Sequence, residues 1–174
     1  AILLLLFALA GPRVGSRETT VKRRGADLIF ALDASLSMRA EDIRPSRLAK
    51  AKRQVSALFD RLDGDRVGIV AFAGDSFLQC PLTLDYGAAR MFLEVLDENS
   101  VSRQGTNLGA ALNTALDAFP EGAAKNQAII LVTDGEDHSG DAVAAAEEAA
   151  ARQITIYTIG VGSENGEPIP LPGE

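Results

Sequence analysis

The chain has one cysteine, one histidine and no tryptophan. A single cysteine, Cys80, excludes an intrachain disulfide, so the fold does not rest on oxidation. Cys80 lies in the apolar run Phe77–Leu82 and reads as a small buried hydrophobe rather than a nucleophile. Aromatic residues make up only 5% of the sequence, so a core must come mainly from Leu, Ile, Val and Ala. There is no basic cluster on a regular motif, and the formal net charge is −7. Nucleic-acid phosphates demand a positive surface, so that class of partner is excluded. An anionic membrane surface is disfavoured for the same reason. No glycine-rich phosphate loop is present. No apolar run reaches the roughly 20 residues that a spanning helix needs.

What is present is enough for one domain of 174 residues with a sizeable core. Residues 1–12 open with the greasy run Ala1–Ala10 and read as the end of a transmembrane helix, with a signal-peptide core as the alternative. Residues 13–25 form a basic linker carrying Arg13, Arg17, Lys22, Arg23 and Arg24, which the positive-inside tendency would place on the cytoplasmic face. Residues 26–174 read as the folded domain.

Within that domain, Asp27–Asp33 is a short continuous apolar run, as expected of a buried strand. Ser46–Leu62 places Leu48, Ala51, Val55, Leu58, Phe59 and Leu62 at helical spacing, with Arg47, Lys50 and Arg53 read as a solvated face. Arg66–Ala73 is a second strand. Phe77–Leu82 is a third, with Pro81 marking a strand end or a sheet edge. Asp85 can cap a helix that runs through Met91, Phe92, Val95 and Leu96. Thr106 opens a helix with Leu108, Ala111, Leu112, Ala115, Leu116 and Phe119 on one face. Gln127–Thr133 is a strand, Ser139–Arg152 an Ala/Glu-rich helix, Ile154–Val161 a final strand, and the tail from Gly162 a loop. Strands alternating with helices predict an α/β fold: a Rossmann-like, doubly wound, mostly parallel sheet with helices on both faces.

Ligands of such sheets bind outside the carboxyl ends of the strands. The polar residues there are Asp33, Ser35 and Ser37 after the first strand, Thr106 at a helix start, and Asp134 after the strand ending at Thr133. In an extended loop, positions i, i+2 and i+4 share a side, so Asp33, Ser35 and Ser37 offer one carboxylate and two hydroxyls to one point. Thr106 adds a hydroxyl and Asp134 a carboxylate. An all-oxygen set suits Mg2+, Ca2+ or Mn2+ and argues against zinc. Small neutral hydroxyls favour Mg2+, with Mn2+ able to substitute. Two carboxylates only balance a divalent ion, which then wants one more anionic oxygen. A partner protein's acidic side chain could supply it.

Asp33-x-Ser35-x-Ser37, together with Thr106 and Asp134 in order, resembles the metal-ion-dependent adhesion site (MIDAS) of von Willebrand factor A domains. In that family the two serines and the threonine typically ligate the metal, and the two aspartates act through water or hydrogen bonds. Leu36 stands where many members carry glycine. A closer resemblance covers nearly the whole chain. The stretches AEDIRPSRLAKAK, GDRVGIVAFAGDSFLQCPLTLDYGAAR, QGTNLG, TDGEDH and IYTIGVGS look like the BatA/BatB group of bacterial membrane proteins, on its BatB-like side. That group is named for an aerotolerance operon. The resemblance implies a metal-dependent binding module rather than an enzyme, anchored in the bacterial inner membrane. It places the domain in the periplasm, against the cytoplasmic side suggested by the basic linker. It further implies other Bat-type proteins and a MoxR-type AAA+ ATPase as partners, in a stress-tolerance or chaperone-like assembly. A full A domain carries one more strand and helix than this sequence shows after Val161, which predicts an open edge at Ile154–Val161.

Each piece alone has an ordinary explanation. Ser35 and Ser37 could cap a turn, Thr106 a helix, Thr133 and Glu136 could form a capping box, and Asp134-Gly135 a turn. His138 reads as an exposed loop residue, and Glu136 and Asp137 as rim residues. The competing function is a Mg2+-dependent phosphotransferase or phosphatase with Asp33 as nucleophile. Against it, Ser35 stands where a general acid would be needed, and no lysine follows Thr133 closely.

Overall fold

Five of the apolar segments become strands of one sheet in the order β3-β2-β1-β4-β5. The structure, a computed structural model, describes residues 25–120, 126–135 and 141–163. The amino-terminal apolar run, the basic linker up to Arg24, the loop holding Glu136, Asp137 and His138, and the tail from residue 164 lie outside the described residues. The strands are β1 (Asp27–Asp33), β2 (Arg66–Phe72), β3 (Ser76–Thr83), β4 (Gln127–Thr133) and β5 (Thr155–Gly160). The helices are α1 (Arg47–Phe59), α2 (Tyr86–Val95), α3 (Leu108–Asp117) and α4 (Ala142–Ala151), with a 3-10 turn at Leu36–Arg39.

β1 is the central strand, parallel to β2 on one side and β4 on the other. Because both faces are covered, the residues between its terminal aspartates, Leu28 to Leu32, are apolar without interruption and split by alternation. Phe30 and Leu32 enter one core with Leu48, Val55 and Phe59 of α1 and Leu93 of α2. Ile29 and Ala31 enter the other with Ala111, Leu112 and Ala115 of α3 and Ala145 and Ala149 of α4. The Phe30 and Phe59 rings meet edge to face with centroids 5.3 Å apart. Fully burying such side chains contributes about 1.5–3 kcal/mol each, so the two cores hold the frame on which the polar loops sit.

Helix starts are set locally. The Ser46 hydroxyl accepts from Ala49 N–H, the Asp85 carboxylate from Ala88 N–H, and the Asn107 side chain from Ala110 N–H. The cap of α3 is therefore Asn107 rather than Thr106.

The sheet is mostly parallel, as the alternation of strands and helices predicts, with one exception: β3 runs antiparallel to β2 at the edge. Only Ala73-Gly74-Asp75 separates the two strands, and so short a link makes a hairpin, never a crossover. Pro81 sits on that edge strand, where its missing N–H is tolerated. On α2 the buried residues are Ala89 and Leu93, followed by Leu96 just past its end. Met91, Phe92 and Val95 are exposed instead. β5 is the other edge of the sheet among the described residues.

Candidate metal-binding site

The strand order places a topological switch at β1, whose two parallel neighbours lie on opposite sides. The loops leaving β1 and β4 diverge from this point and open a crevice at the carboxyl edge. Burial marks the place. Among the described residues the buried polar or charged ones are Asp27, Asp33, Ser35, Ser37, Thr106 and Thr133, and all but Asp27 are at this edge. Burying polar groups costs stability unless they are partnered, so such a concentration needs a reason.

Asp33 ends β1 and is fully buried. Its Oδ1 accepts the Ser35 N–H at 2.9 Å, and its Oδ2 accepts the Thr133 hydroxyl at 2.7 Å. These bonds tie the β1 loop to the end of β4. Burial pushes the Asp33 carboxyl up from its ordinary value. The bonds from Ser35 and Thr133 pull it back, and Asp134 adds repulsion. A carboxylate in that condition gains from a cation beside it.

Ser35 precedes the 3-10 turn but caps nothing with its side chain. Its hydroxyl lies 2.9 Å from that of Ser37, both buried. The two hydroxyls do meet, but Ser37 sits in the 3-10 turn and not in the extended loop that the spacing argument assumes. Leu36 between them is exposed.

Thr106 arrives from another direction. The Asn107 N–H donates to the Ala73 carbonyl at 2.8 Å, and the Gly74 N–H to the Arg103 carbonyl at 2.9 Å. The loop is thereby fastened to the end of β2, the strand next to Asp33. Glycine is required at 74: a Cβ there would sit 2.4 Å from the Gln104 carbonyl oxygen. Gly105, at φ 117°, occupies backbone space that side chains rarely adopt. With capping left to Asn107, the buried Thr106 hydroxyl is not committed to its helix.

Asp134 follows β4 directly. Its Oδ2 accepts from Arg47 Nη1 at 3.0 Å, while its Oδ1 is buried with no hydrogen-bond partner among the described residues. An orphaned buried carboxylate oxygen is expensive and rare. Lying near enough to Asp33 for the two carboxylates to repel, it is an oxygen that a cation would satisfy. The donor set is two carboxylates and three hydroxyls; among the described residues no group of three or more His, Cys, Asp or Glu gathers as a metal site. The residues present therefore fit a hard divalent ion held by neutral and anionic oxygens.

Two participants were not foreseen from the sequence. Arg47, read as part of a solvated face, is nine-tenths buried at the site, with its side chain 12% exposed. It donates to both oxygens of Asp42 at 2.9 and 3.0 Å as well as to Asp134. Thr133 bridges the loops through Asp33 and also accepts the Gly135 N–H. Its capping-box partner Glu136 lies outside the described residues.

Comparison with protein families matches residues 28–136 to the von Willebrand factor type A domain. The chain belongs to that family. Among solved structures it is similar to BatB from Bacteroides thetaiotaomicron, with 49% identity, 86% of this chain and 73% of that chain covered, and a TM-score of 0.83. It is also similar to an aerotolerance-related membrane protein from Bacteroides fragilis, with 47% identity, coverage of 86% and 74%, and a TM-score of 0.80. Within its family the chain is thus BatB-like. It spans about half the length of the curated relatives it matches: it covers 55% of a UPF0353 protein from Mycolicibacterium paratuberculosis at 31% identity, with all of this chain aligned. The fold is shared at 21% identity, a TM-score of 0.68 and coverage of 80% and 38% with a mussel byssus protein, PTMP1, solved with a zinc-occupied MIDAS motif.

Proposed function

We propose that this domain is a metal-dependent protein-binding module of the adhesion or scaffold type. In this reading Asp33, Ser35, Ser37, Thr106 and Asp134 hold one divalent cation, Mg2+ by preference with Mn2+ or Ca2+ as substitutes. The cation then engages an acidic side chain of a partner protein. The observation that carries the reading is the partnerless Asp134 Oδ1 at an edge where buried hydroxyls gather. The metal would supply electrophilic charge, and the chain's residues would orient and desolvate it. A zinc-occupied MIDAS in a protein of the same fold means that zinc belongs in any metal panel.

Catalysis by Asp33 fits the geometry poorly. Both its oxygens are engaged and it has no exposed surface, whereas a nucleophile must reach its substrate. An aerotolerance-related membrane protein among the neighbours supports a place at a bacterial membrane; a periplasmic domain acting in a stress-tolerance or chaperone-like assembly is part of the same proposal. Bat-type membrane proteins and a MoxR-type ATPase are the partners to test. No helix among the described residues is long and apolar enough to cross a membrane.

The test is a pull-down with wild type and Asp33→Ala, each with Mg2+ and with chelator, beside calorimetry of Mg2+, Mn2+ and Zn2+ binding. Partners are expected only with wild type and metal together. Retention of the same partners in chelator, or no heat from any metal, would sink the proposal.

A further inference from the structure

Arg47 opens α1, and three elements meet on its guanidinium. Nη1 donates to Asp134 Oδ2 after β4 at 3.0 Å. Nε and Nη2 donate to Asp42 Oδ1 and Oδ2, in the loop before α1, at 2.9 and 3.0 Å. The Asp42 and Asp134 side chains are each 3% exposed. Asp42 is held independently by the Ser163 N–H at 2.6 Å, from the segment after β5. The backbone at Gly162 lies against the guanidinium, since a Cβ there would be 3.5 Å from Arg47 Cζ. The division of bonds is unequal. Asp42 takes two and is anchored from elsewhere; Asp134 takes one and keeps an unpartnered oxygen.

A guanidinium and a divalent ion seek the same carboxylate charge, and two cations sharing it at short range inside a protein repel strongly. We infer that Arg47 is a built-in counter-cation that competes with the metal for Asp134 and thereby sets the affinity of the site. This rests on the reading that Asp134 belongs to the cation's oxygen set. Without metal, Arg47 neutralises Asp134 and offsets its repulsion with Asp33. When the metal takes Asp134, Arg47 retains its two bonds to Asp42 and need not leave. Asp42 is thus the parking place that makes release affordable.

The alternative role, a simple brace for Asp134, predicts the opposite sign. Removing a brace weakens metal binding; removing a competitor tightens it. The experiment is calorimetric titration of Mg2+ and of Mn2+ into the metal-free full chain, for wild type, Arg47→Gln and Asp42→Asn, with thermal melts of each without metal. Arg47→Gln should bind metal about tenfold more tightly or better, on the scale of coupling between sites that share a group, and should melt lower without metal. Asp42→Asn leaves Arg47 with Asp134 as its one charged partner among the described residues, and should weaken metal binding by a similar factor. The two variants moving in opposite directions supports the inference. Weaker or unchanged binding in Arg47→Gln overturns it, and should that variant not fold, tighter or unchanged binding in Asp42→Asn does so alone. A wild type that binds no metal would bring down the metal-site reading itself, and this inference with it.

Discussion

The two ends of β1 carry acids under contrasting arrangements. At the amino-terminal end, Asp27 is buried and both its oxygens are taken by one guanidinium, Arg66 Nε and Nη2 at 2.7 Å each. That is a bidentate pair across neighbouring strands, complete in itself. At the carboxyl end, Asp33 is held by a backbone amide and a hydroxyl, and the nearby Asp134 shares a guanidinium and keeps one oxygen empty. The chain therefore places arginine squarely on a buried carboxylate where only strand pairing is at stake. At the other edge Arg47 closes such a pair on Asp42 but gives Asp134 a single bond. The deficit at the carboxyl end is local, and it coincides with the place where doubly wound sheets bind ligands.

The contrast can be broken most sharply with metal. At about 100 times its dissociation constant, a cation bound only to the folded state adds about 2.7 kcal/mol, roughly 5–10 °C in melting temperature for a domain of this size. Asp27→Ala should retain that shift and Asp33→Ala should lose it; a shift that survives in Asp33→Ala would show that the metal acts elsewhere. Next in size is Gly74→Ala. Its Cβ would meet the backbone of Gln104 at 2.4 Å, so the loop must move. Overpacking of this kind costs about 1–3 kcal/mol, and metal affinity should fall with it because Thr106 is displaced. A chemical denaturation curve beside a metal titration reads both, and stability lost with affinity intact would detach Thr106 from the site.

Asp27→Ala itself should cost about 1 kcal/mol without metal, since Arg66 is 41% exposed and water replaces much of what it loses. The smallest effect is one of pH. Hydrogen bonds from Arg47 hold the Asp42 carboxyl far below the usual carboxylate range. Its contribution to stability is full above the unfolded value near pH 4 and is lost as pH falls through the lower folded value. Asp42→Asn should therefore melt below wild type at pH 7, with the gap closing as the pH drops below about 4. A gap independent of pH would mean that the carboxylate charge contributes nothing.

Much of this was legible in the residues. Continuous apolar runs mark β1, β2 and β4 because both faces of those strands are covered. The ends of those runs point to Asp33 and Asp134. The spacing of Ser35 and Ser37 foretells their adjacent hydroxyls, though a 3-10 turn rather than an extended loop brings them together. Arg47 was missed for a physical reason. Helical periodicity separates core from solvent, but the first turn of α1 lies along the carboxyl edge, where a residue off the apolar stripe faces the site. The signal was available: a helix following a parallel strand begins at the binding edge, so its first polar residues border the crevice. On α2, hydropathy misleads because Met91, Phe92 and Val95 outweigh Ala89 in apolarity, yet Ala89 and Leu93, four residues apart on one face, are the buried pair. The antiparallel β3 follows from the length of a link, which periodicity does not measure.

The fastening of the Thr106 loop has one more outcome. Two main-chain hydrogen bonds and the bare surface of Gly74 hold it, and the side chains from Ser102 to Gln104 add only surface contacts: a 3.9 Å ion pair from Arg103 to Asp75 and one bond from Gln104 to the Glu98 carbonyl. Those three residues are exposed. The rim of the crevice can therefore be rewritten by exchange at these positions while the threonine stays where it is, which gives a route to retargeting the domain without rebuilding its centre.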